Sequence, residues 1–357
     1  MRGATVAICL SIAASSPAPH AQAPATPTFR GQTSLVLVAF RVARGKGNLR
    51  PSDVVLLEDG KPRQFSIFDS AATQARMPLE LVLLFDINPR ARAAADFTLW
   101  DPEGVYRLAK TWEDRAVEAI LGGDAARLRV SVYACAGEDL YKVFSAGTDA
   151  ARIADAIRYV ATPRILPLDA EVLPLTMPAR RTQIESGPFT NDFPTSYFVS
   201  SEERGWPMEA AIATLNDVAA AQDNVARIFV MFSQGISATT TLPEDVGNRA
   251  IDLGIPIYPV ALNYLWRIDD KFPRNLFRMR QYKALGKMTG GRSFEYGSID
   301  ANTLKNILEQ VKADGLSQYV IGFAPSPVGA PQQHSLEVKL APKVSGSLEG
   351  GKRRATY

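Results

Sequence analysis

The stretch from Pro78 to Leu316 repeatedly switches between short apolar strands and amphipathic helical periods, and this most constrains the fold. Leu79 to Phe85 is an almost unbroken apolar run, as a strand buried on both faces requires. Further strand runs are Leu128–Ala134, Leu140–Phe144, Ala226–Phe232 and Ile255–Leu262. Helical periods lie between them. One begins at the Asp101-Pro102 start signal and carries Val105, Leu108, Trp112, Ala116 and Ile120 on one stripe. Others cover about Thr148–Val160, Met208–Ala221, Glu244–Leu253, Asn275–Met288 and Ala301–Ala313. Gly254 and Gly290-Gly291 stop two of them. Strands and helices in alternation predict an α/β fold: a mostly parallel central sheet with helices on both faces.

Two β segments flank this block. Residues 29–70 contain Leu35–Phe40, Val54–Leu57 and the alternating Gln64–Phe68, with a tight-turn signal at Asp59-Gly60. Residues 318–357 contain Gln318–Phe323 and Ser335–Leu340, separated by a Pro- and Gly-rich break. Each set has too few strands to stand alone, so both are expected in one small β module. Arg44 to Arg50 follows a strand without opening a helix and reads as a hairpin loop. Residues 161–207 have little periodicity, with Pro163, Pro167, Pro174 and Pro178, and read as a long insertion, either functional or simply mobile.

The amino terminus reads as a secretory signal over about residues 1–23. Met1-Arg2-Gly3 is positive, Ala4–Ala14 is apolar, and a small-residue and proline stretch with Ala21-Gln22-Ala23 follows. The apolar run is too short for a bilayer span, and no later segment is long enough. The expected destination is the periplasm or the extracellular space, with no membrane span. The competing reading is a disordered Ala/Pro tail. If Cys9 leaves with the signal, Cys135 alone remains and no intrachain disulfide can form.

Composition narrows the chemistry. Forty basic against 37 acidic residues leave a net charge of +3, too balanced for a dedicated nucleic-acid binder. With only His20 and His334, and Cys9 and Cys135, histidine catalysis and Cys/His zinc sites have almost no material. There is no Gly-rich phosphate loop and no Gly-x-Ser-x-Gly elbow. Cys135 ends an apolar strand and reads as a buried, inert thiol. No enzyme is expected. Asp86 stands apart because it ends the first central strand, and open α/β sheets bind ligands at the carboxyl ends of their strands.

These runs, in this order, resemble secreted bacterial proteins with a von Willebrand factor A-related (VWA) domain, of the type common in acidobacteria. The resemblance is carried by Leu35–Phe40, Val54–Pro62 with Phe65–Phe68, Pro78–Asp86, Arg227–Gly235, Gly254–Tyr258, Leu285–Phe294, Gln318–Phe323 and the ending Arg354–Tyr357. It implies a Rossmann-like domain that binds proteins, often through a divalent cation, without catalysis. The related fold holds its cation with an Asp-x-Ser-x-Ser loop, a Thr on a second loop and an Asp on a third. By that resemblance the site here is degenerate. Asp86 matches, but Asn88 and Arg90 stand for the serines, Trp206 for the Thr, and Ser233-Gln234 where Ser/Thr-Asp is usual. The expectation is therefore no bound metal, with Arg90 neutralising Asp86 in its place. The competing reading is a weak cation, Mg²⁺ for example, held by Asp86, Asn88, Ser233 and waters.

The expected function is a protein-binding module acting in protein–protein interaction or adhesion, with a structural envelope or scaffold component as the alternative. A partner surface is expected over Tyr264–Tyr282, where Trp266, Arg267, Arg274 and Arg278 combine aromatic and guanidinium anchors. The bland alternative there is a helix with a solvated basic face and a buried aromatic one.

Overall fold

The computed structural model describes residues 35–45, 48–70, 78–87, 113–122, 128–161, 170–175, 206–221, 225–233, 241–262, 273–296, 300–325 and 331–357, with backbone only at 161, 262 and 273–279. The amino-terminal part has β1 (Val36–Gly45), β2 (Val54–Glu58), β3 (Lys61–Arg63) and β4 (Ile67–Asp69). The central part begins with β5 (Leu79–Asp86), helix α1 (residues 113–121), β6 (Leu128–Ala136), β7 (Asp139–Gly147) and α2 (Ala150–Ala161). It continues with β8 (Glu171–Leu173), α3 (Pro207–Ala220), β9 (Ala226–Ser233), α4 (Pro243–Leu253) and β10 (Ile257–Leu262). Then come α5 (Pro273–Thr289), β11 (Phe294–Tyr296), α6 (Ala301–Leu316), β12 (Tyr319–Phe323), β13 (Gln333–Leu340), β14 (Gly346–Gly350) and β15 (Lys352–Thr356).

The central sheet has seven strands in the order β11-β10-β9-β5-β6-β7-β8. The ladders from β11 through β6 are parallel, and β7 and β8 run antiparallel at one edge. Every residue of β5 is buried, which is why its sequence has no polar alternation. Its odd-numbered side chains, Leu79, Leu81, Leu83 and Phe85, enter a core shared with α1, α2 and α6. Val82 and Leu84 enter the opposite core, under α3, α4 and α5. A strand alternates its faces, so one apolar run feeds two cores. Each fully buried Leu or Phe contributes about 1.5–3 kcal/mol of transfer free energy. Phe85 and Phe232 stack at 4.5 Å and tie β5 to β9 within the first core.

The terminal strands form one β sandwich, as the apolar pattern predicts. One of its sheets is β14-β1-β12-β4 and the other β15-β13-β2-β3, all antiparallel. Val38, Phe40, Leu56, Ile321 and Leu336 fill the space between them, and Phe40 stacks on Tyr319 at 5.3 Å. The turn between β2 and β3 has positive φ at Asp59 (49°) and Gly60 (78°), as an Asp-Gly hairpin requires.

Three sequence expectations are corrected. Residues 44–50 do not close a hairpin: β1 pairs with β12 and β14, whereas β2 pairs with β13 and β3, so this connection crosses between two sheets. Residues 161–207 are not without regular structure, because β8 lies inside them and extends the sheet edge along β7. The last segment holds four strands rather than two. β14 and β15, Gly-Ser-Leu-Glu-Gly and Lys-Arg-Arg-Ala-Thr, lack apolar alternation because each lies at a sheet edge and is mostly exposed.

The sandwich seats on the α/β part through tight backbone contact. A Cβ on Gly290 (φ 90°) would stand 2.2 Å from the Cα of Gly350. Arg354 donates to the Asn248 carbonyl of α4 at 3.2 Å and pairs with Asp252 of the same helix at 2.6 Å. Among the described residues no helix is long and apolar enough to cross a membrane.

Candidate functional site

The order of the central sheet reverses at β5. The chain leaves β5 for β6 on one side and later returns as β9 on the other. At such a reversal the loops diverge and leave a crevice outside the strand ends, where open α/β sheets place ligands. Asp86 and Ser233 are the last residues of β5 and β9. Phe85 and Phe232 are register partners, so the next residue on each strand meets its neighbour. The Ser233 hydroxyl donates to Asp86 Oδ2 at 2.8 Å. Asp86 is 7% exposed and Ser233 fully buried, so the carboxylate lies just below the surface of the edge.

Even-numbered β5 residues face α3, α4 and α5, and Asp86 continues that row. Its register partner on β6 is Cys135, a fully buried thiol on the same side that forms no disulfide. The Ile87 amide donates to the Cys135 carbonyl at 2.9 Å and carries the β5–β6 ladder one residue past the carboxylate. Tyr282 of α5 is fully buried and donates to the Met231 carbonyl at 2.5 Å, two residues before Ser233. Burial pushes its phenol well above the ordinary value, and the nearby Asp86 charge adds to the rise. The Tyr282 hydroxyl is thus a fixed neutral donor beneath the site.

Trp206 precedes α3 with its side chain buried. Its amide donates to the Gly137 carbonyl in the β6–β7 turn at 2.9 Å, and its carbonyl accepts from Ala210 at 2.9 Å. The first of these bonds brings the start of α3 to the carboxyl edge of β6, and the second opens the helix. Pro207 begins the helix, with no side-chain cap at Trp206. The first turn carries Glu209, a buried carboxylate at the positive end of the helix.

Asp86, Trp206 and Ser233 thus lie at one edge of the sheet. Asn88, Arg90 and Gln234 lie outside the described residues. So do Trp266 and Arg267, and only the backbone of α5 is described at Arg274 and Arg278. Further along that segment Arg280 is exposed and Tyr282 buried, so its last residue belongs to the core rather than to a surface. Tyr282 and Glu209 were not singled out from the sequence. A Glu three residues after a helix start was a usable signal for Glu209. Tyr282 offered none, because its inward direction depends on how α5 is rotated against the sheet.

Chemically, the edge holds a carboxylate, a hydroxyl bonded to it and an indole. The nearest thiol is enclosed in the core, and His334, the one histidine among the described residues, lies in the sandwich against Asp59. No group of three or more His, Cys, Asp or Glu side chains able to hold a metal occurs among the described residues.

No protein-family model and no curated protein matches the chain. Several solved structures are similar to it. One is proximal thread matrix protein 1 from the mussel byssus, with 12% identity, 82% of this chain and 51% of that one covered, and a TM-score of 0.37. Another is the ArnB paralog VWA2 from Sulfolobus acidocaldarius, with 10% identity, 90% and 74% covered, and a TM-score of 0.36. A third is the pilus adhesin SpaC from Lactobacillus rhamnosus GG in its open conformation, with 10% identity, 90% and 47% covered, and a TM-score of 0.39. The chain spans about half the length of the mussel protein chain it matches.

Proposed function

We propose that this chain is an exported, non-catalytic VWA-like binding module whose partner face is the carboxyl edge of the central sheet around Asp86. The observation that carries the reading is the Asp86–Ser233 pair at the point where strand order reverses. That position is where an open α/β sheet offers a crevice. The groups there suit recognition better than turnover. The Ser233 hydroxyl is buried and bonded to Asp86, and among the described residues no histidine stands beside the pair to relay a proton. The basic start and apolar run of the first residues support export.

Binding on this face proceeds without a resident metal. A hard divalent cation takes about six oxygens. The described donor set offers the Asp86 carboxylate and the Ser233 hydroxyl, and these are already bonded to each other. By the resemblance Trp206 stands for the Thr of the second loop, and its indole supplies no acceptor. The second reading, a weakly cation-dependent adhesion domain, draws on Asp86, Ser233 and Asn88, with waters completing the shell. A structural envelope component is the alternative without a dedicated partner face.

The test is capture of partners from an envelope extract of the native host by immobilised protein, with and without EDTA. The variants Asp86→Asn and Trp206→Ala are run alongside, with melting temperatures measured in parallel. The proposal expects a specific partner captured equally with and without chelator, and lost on Asp86→Asn in protein that still unfolds cooperatively with only a small drop in melting temperature. Loss on EDTA favours the cation-dependent reading. Capture unaffected by both variants removes this edge as the partner face.

A further inference from the structure

At the amino end of the same sheet, where the β sandwich meets the α/β part, lies a groove of about 610 Å³. Arg41 and Arg44 of β1, Gly291 and Arg292 after α5, Asp314 of α6 and Glu349 of β14 form its walls. This volume is in the range of small-molecule sites, about 300–1,000 Å³.

The charges in the groove do not cancel. Arg41 is buried and bonded to both Asp314 and Glu349, so its guanidinium is committed. Arg292, about half exposed, gives one N–H to Asp314 Oδ1 at 3.0 Å. Its other N–H groups have no partner among the described residues. Arg44 is exposed and pairs with no carboxylate among the described residues. Three guanidiniums thus face two carboxylates that are already bonded, and the surplus consists of donors.

A further donor stands behind the wall. Tyr258, the second residue of β10, is fully buried, and its hydroxyl has no hydrogen-bond partner among the described residues. Its ring lies against Gly291, where an added Cβ would come within 3.1 Å of Tyr258 Cδ2. Its phenol interacts electrostatically with Arg41, Arg292, Asp314 and Glu349, all walls of the groove. Burial, the largest influence, and the Asp314 charge raise the phenol above its ordinary value, so the hydroxyl keeps its proton. A buried donor without an acceptor is destabilising by about 1–3 kcal/mol, so its position behind a groove rich in guanidinium groups calls for a function.

We propose that this groove is a binding site for a small oxyanion-bearing ligand, its carboxylate or phosphate held between Arg44 and Arg292. Guanidinium forks match both oxyanions in a two-point geometry. Gly291 packs its backbone directly on β10, since a Cβ there would stand 1.9 Å from the Ile257 carbonyl, and this fixes Arg292 at the rim of the groove. The ligand takes up the free N–H groups of Arg292 and draws the Tyr258 hydroxyl toward an acceptor. Because the walls come from both the sandwich and the α/β part, an occupied groove also ties the two together.

Inorganic phosphate and citrate serve as probes in calorimetric titration of the full-length protein at low ionic strength, with melting temperature as a second readout. The expected result is saturable one-to-one binding of at least one probe, accompanied by a rise in melting temperature. Phosphate alone indicates a phosphate ligand, and citrate alone a carboxylate ligand. Arg44→Gln and Arg292→Gln should each weaken binding about tenfold or more, since each removes a charge-assisted contact. Tyr258→Phe should weaken it severalfold while leaving the fold intact. Asp86→Asn should leave it unchanged, which keeps this site distinct from the partner face. Absence of saturable binding by either probe overturns the proposal. So does binding that survives both arginine replacements in protein that melts normally.

Discussion

Glu80 and Arg227 are register partners on β5 and β9, and Arg227 Nε donates to Glu80 Oε2 at 2.8 Å with the two side chains only 3% and 10% exposed. Ser131 of β6 donates to the other carboxylate oxygen at 2.5 Å. The pair thus joins three adjacent strands at the amino end of the sheet, the end opposite Asp86. A buried ion pair is weak evidence of net stability, but removing one member leaves an uncompensated charge and costs about 3–5 kcal/mol. Glu80→Leu should therefore lower unfolding free energy by that order in urea denaturation. The double variant Glu80→Leu/Arg227→Met should recover most of the loss, since it removes both charges. A double variant as unstable as the single one would show that the pair itself stabilises the sheet.

Gly290 faces a different constraint, set by close approach rather than charge. Its φ of 90° is unfavourable for any side chain, and a Cβ would stand 2.2 Å from Gly350 Cα, a backbone atom that cannot rotate away. Overpacking of this kind costs about 1–3 kcal/mol, and the positive φ adds about 1 kcal/mol. Gly290→Ala is expected to lower the midpoint of urea unfolding accordingly. The control Gly60→Ala sits in open space, also at positive φ, and should show the backbone cost alone. Equal losses at both positions would mean that the sandwich yields at this contact.

The same contrast separates what the sequence makes visible from what it does not. β5 is legible because a strand buried on both faces has no room for polar alternation, and its end marks Asp86 without further information. The helix stop at Gly254 is legible because its φ of 69° suits glycine. β14 and β15 are illegible, since short edge strands with exposed Glu, Lys and Arg carry no apolar period. The Asp86–Ser233 contact joins residues 147 apart in sequence, so strand order, not spacing, brings them together. The Arg41 cluster is hidden for the same reason, because its members come from β1, α6 and β14.

Acid should weaken the protein at two identified carboxylates. The Ser335 backbone amide and then the His334 ring hold Asp59 below its ordinary value of 3.8. Asp300 is held below 3.8 mainly by the Thr303 amide, which it accepts as the cap of α6 at 2.7 Å. Both folded-state values are depressed, so the stabilisation they give is fully present above 3.8 and disappears as pH falls through the folded values. Asp300→Ala should cost about 1 kcal/mol at neutral pH, as for loss of a helix cap. The unfolding free energies of Asp59→Asn and of Asp300→Ala should begin to approach that of wild type once pH drops below 3.8, and should converge only when it has fallen through the lower folded-state values, where the native carboxylates are themselves protonated. A constant gap from neutral to strongly acid pH would show that these carboxylate charges contribute nothing.

The last expectation concerns cations at the carboxyl edge. If Asp86 and Ser233 are satisfied by each other, titration with Mg²⁺, Mn²⁺ or Ca²⁺ should give no saturable heat, and melting temperature should not respond to EDTA. A cation binding only the folded state would raise stability by about 2.7 kcal/mol at one hundred times its dissociation constant, a shift that melting readily detects. Ser233→Ala removes the donor at 2.8 Å from Asp86 Oδ2. It should lower stability by about 1.5–3 kcal/mol, the range for hydrogen bonds to charged groups, and still leave the edge without metal affinity. Asp86→Asn retains an acceptor oxygen and should cost less than Asp86→Ala. Micromolar binding of any of the three ions that vanishes on Asp86→Ala would refute the metal-free reading and favour a weak cation site with waters in the remaining positions.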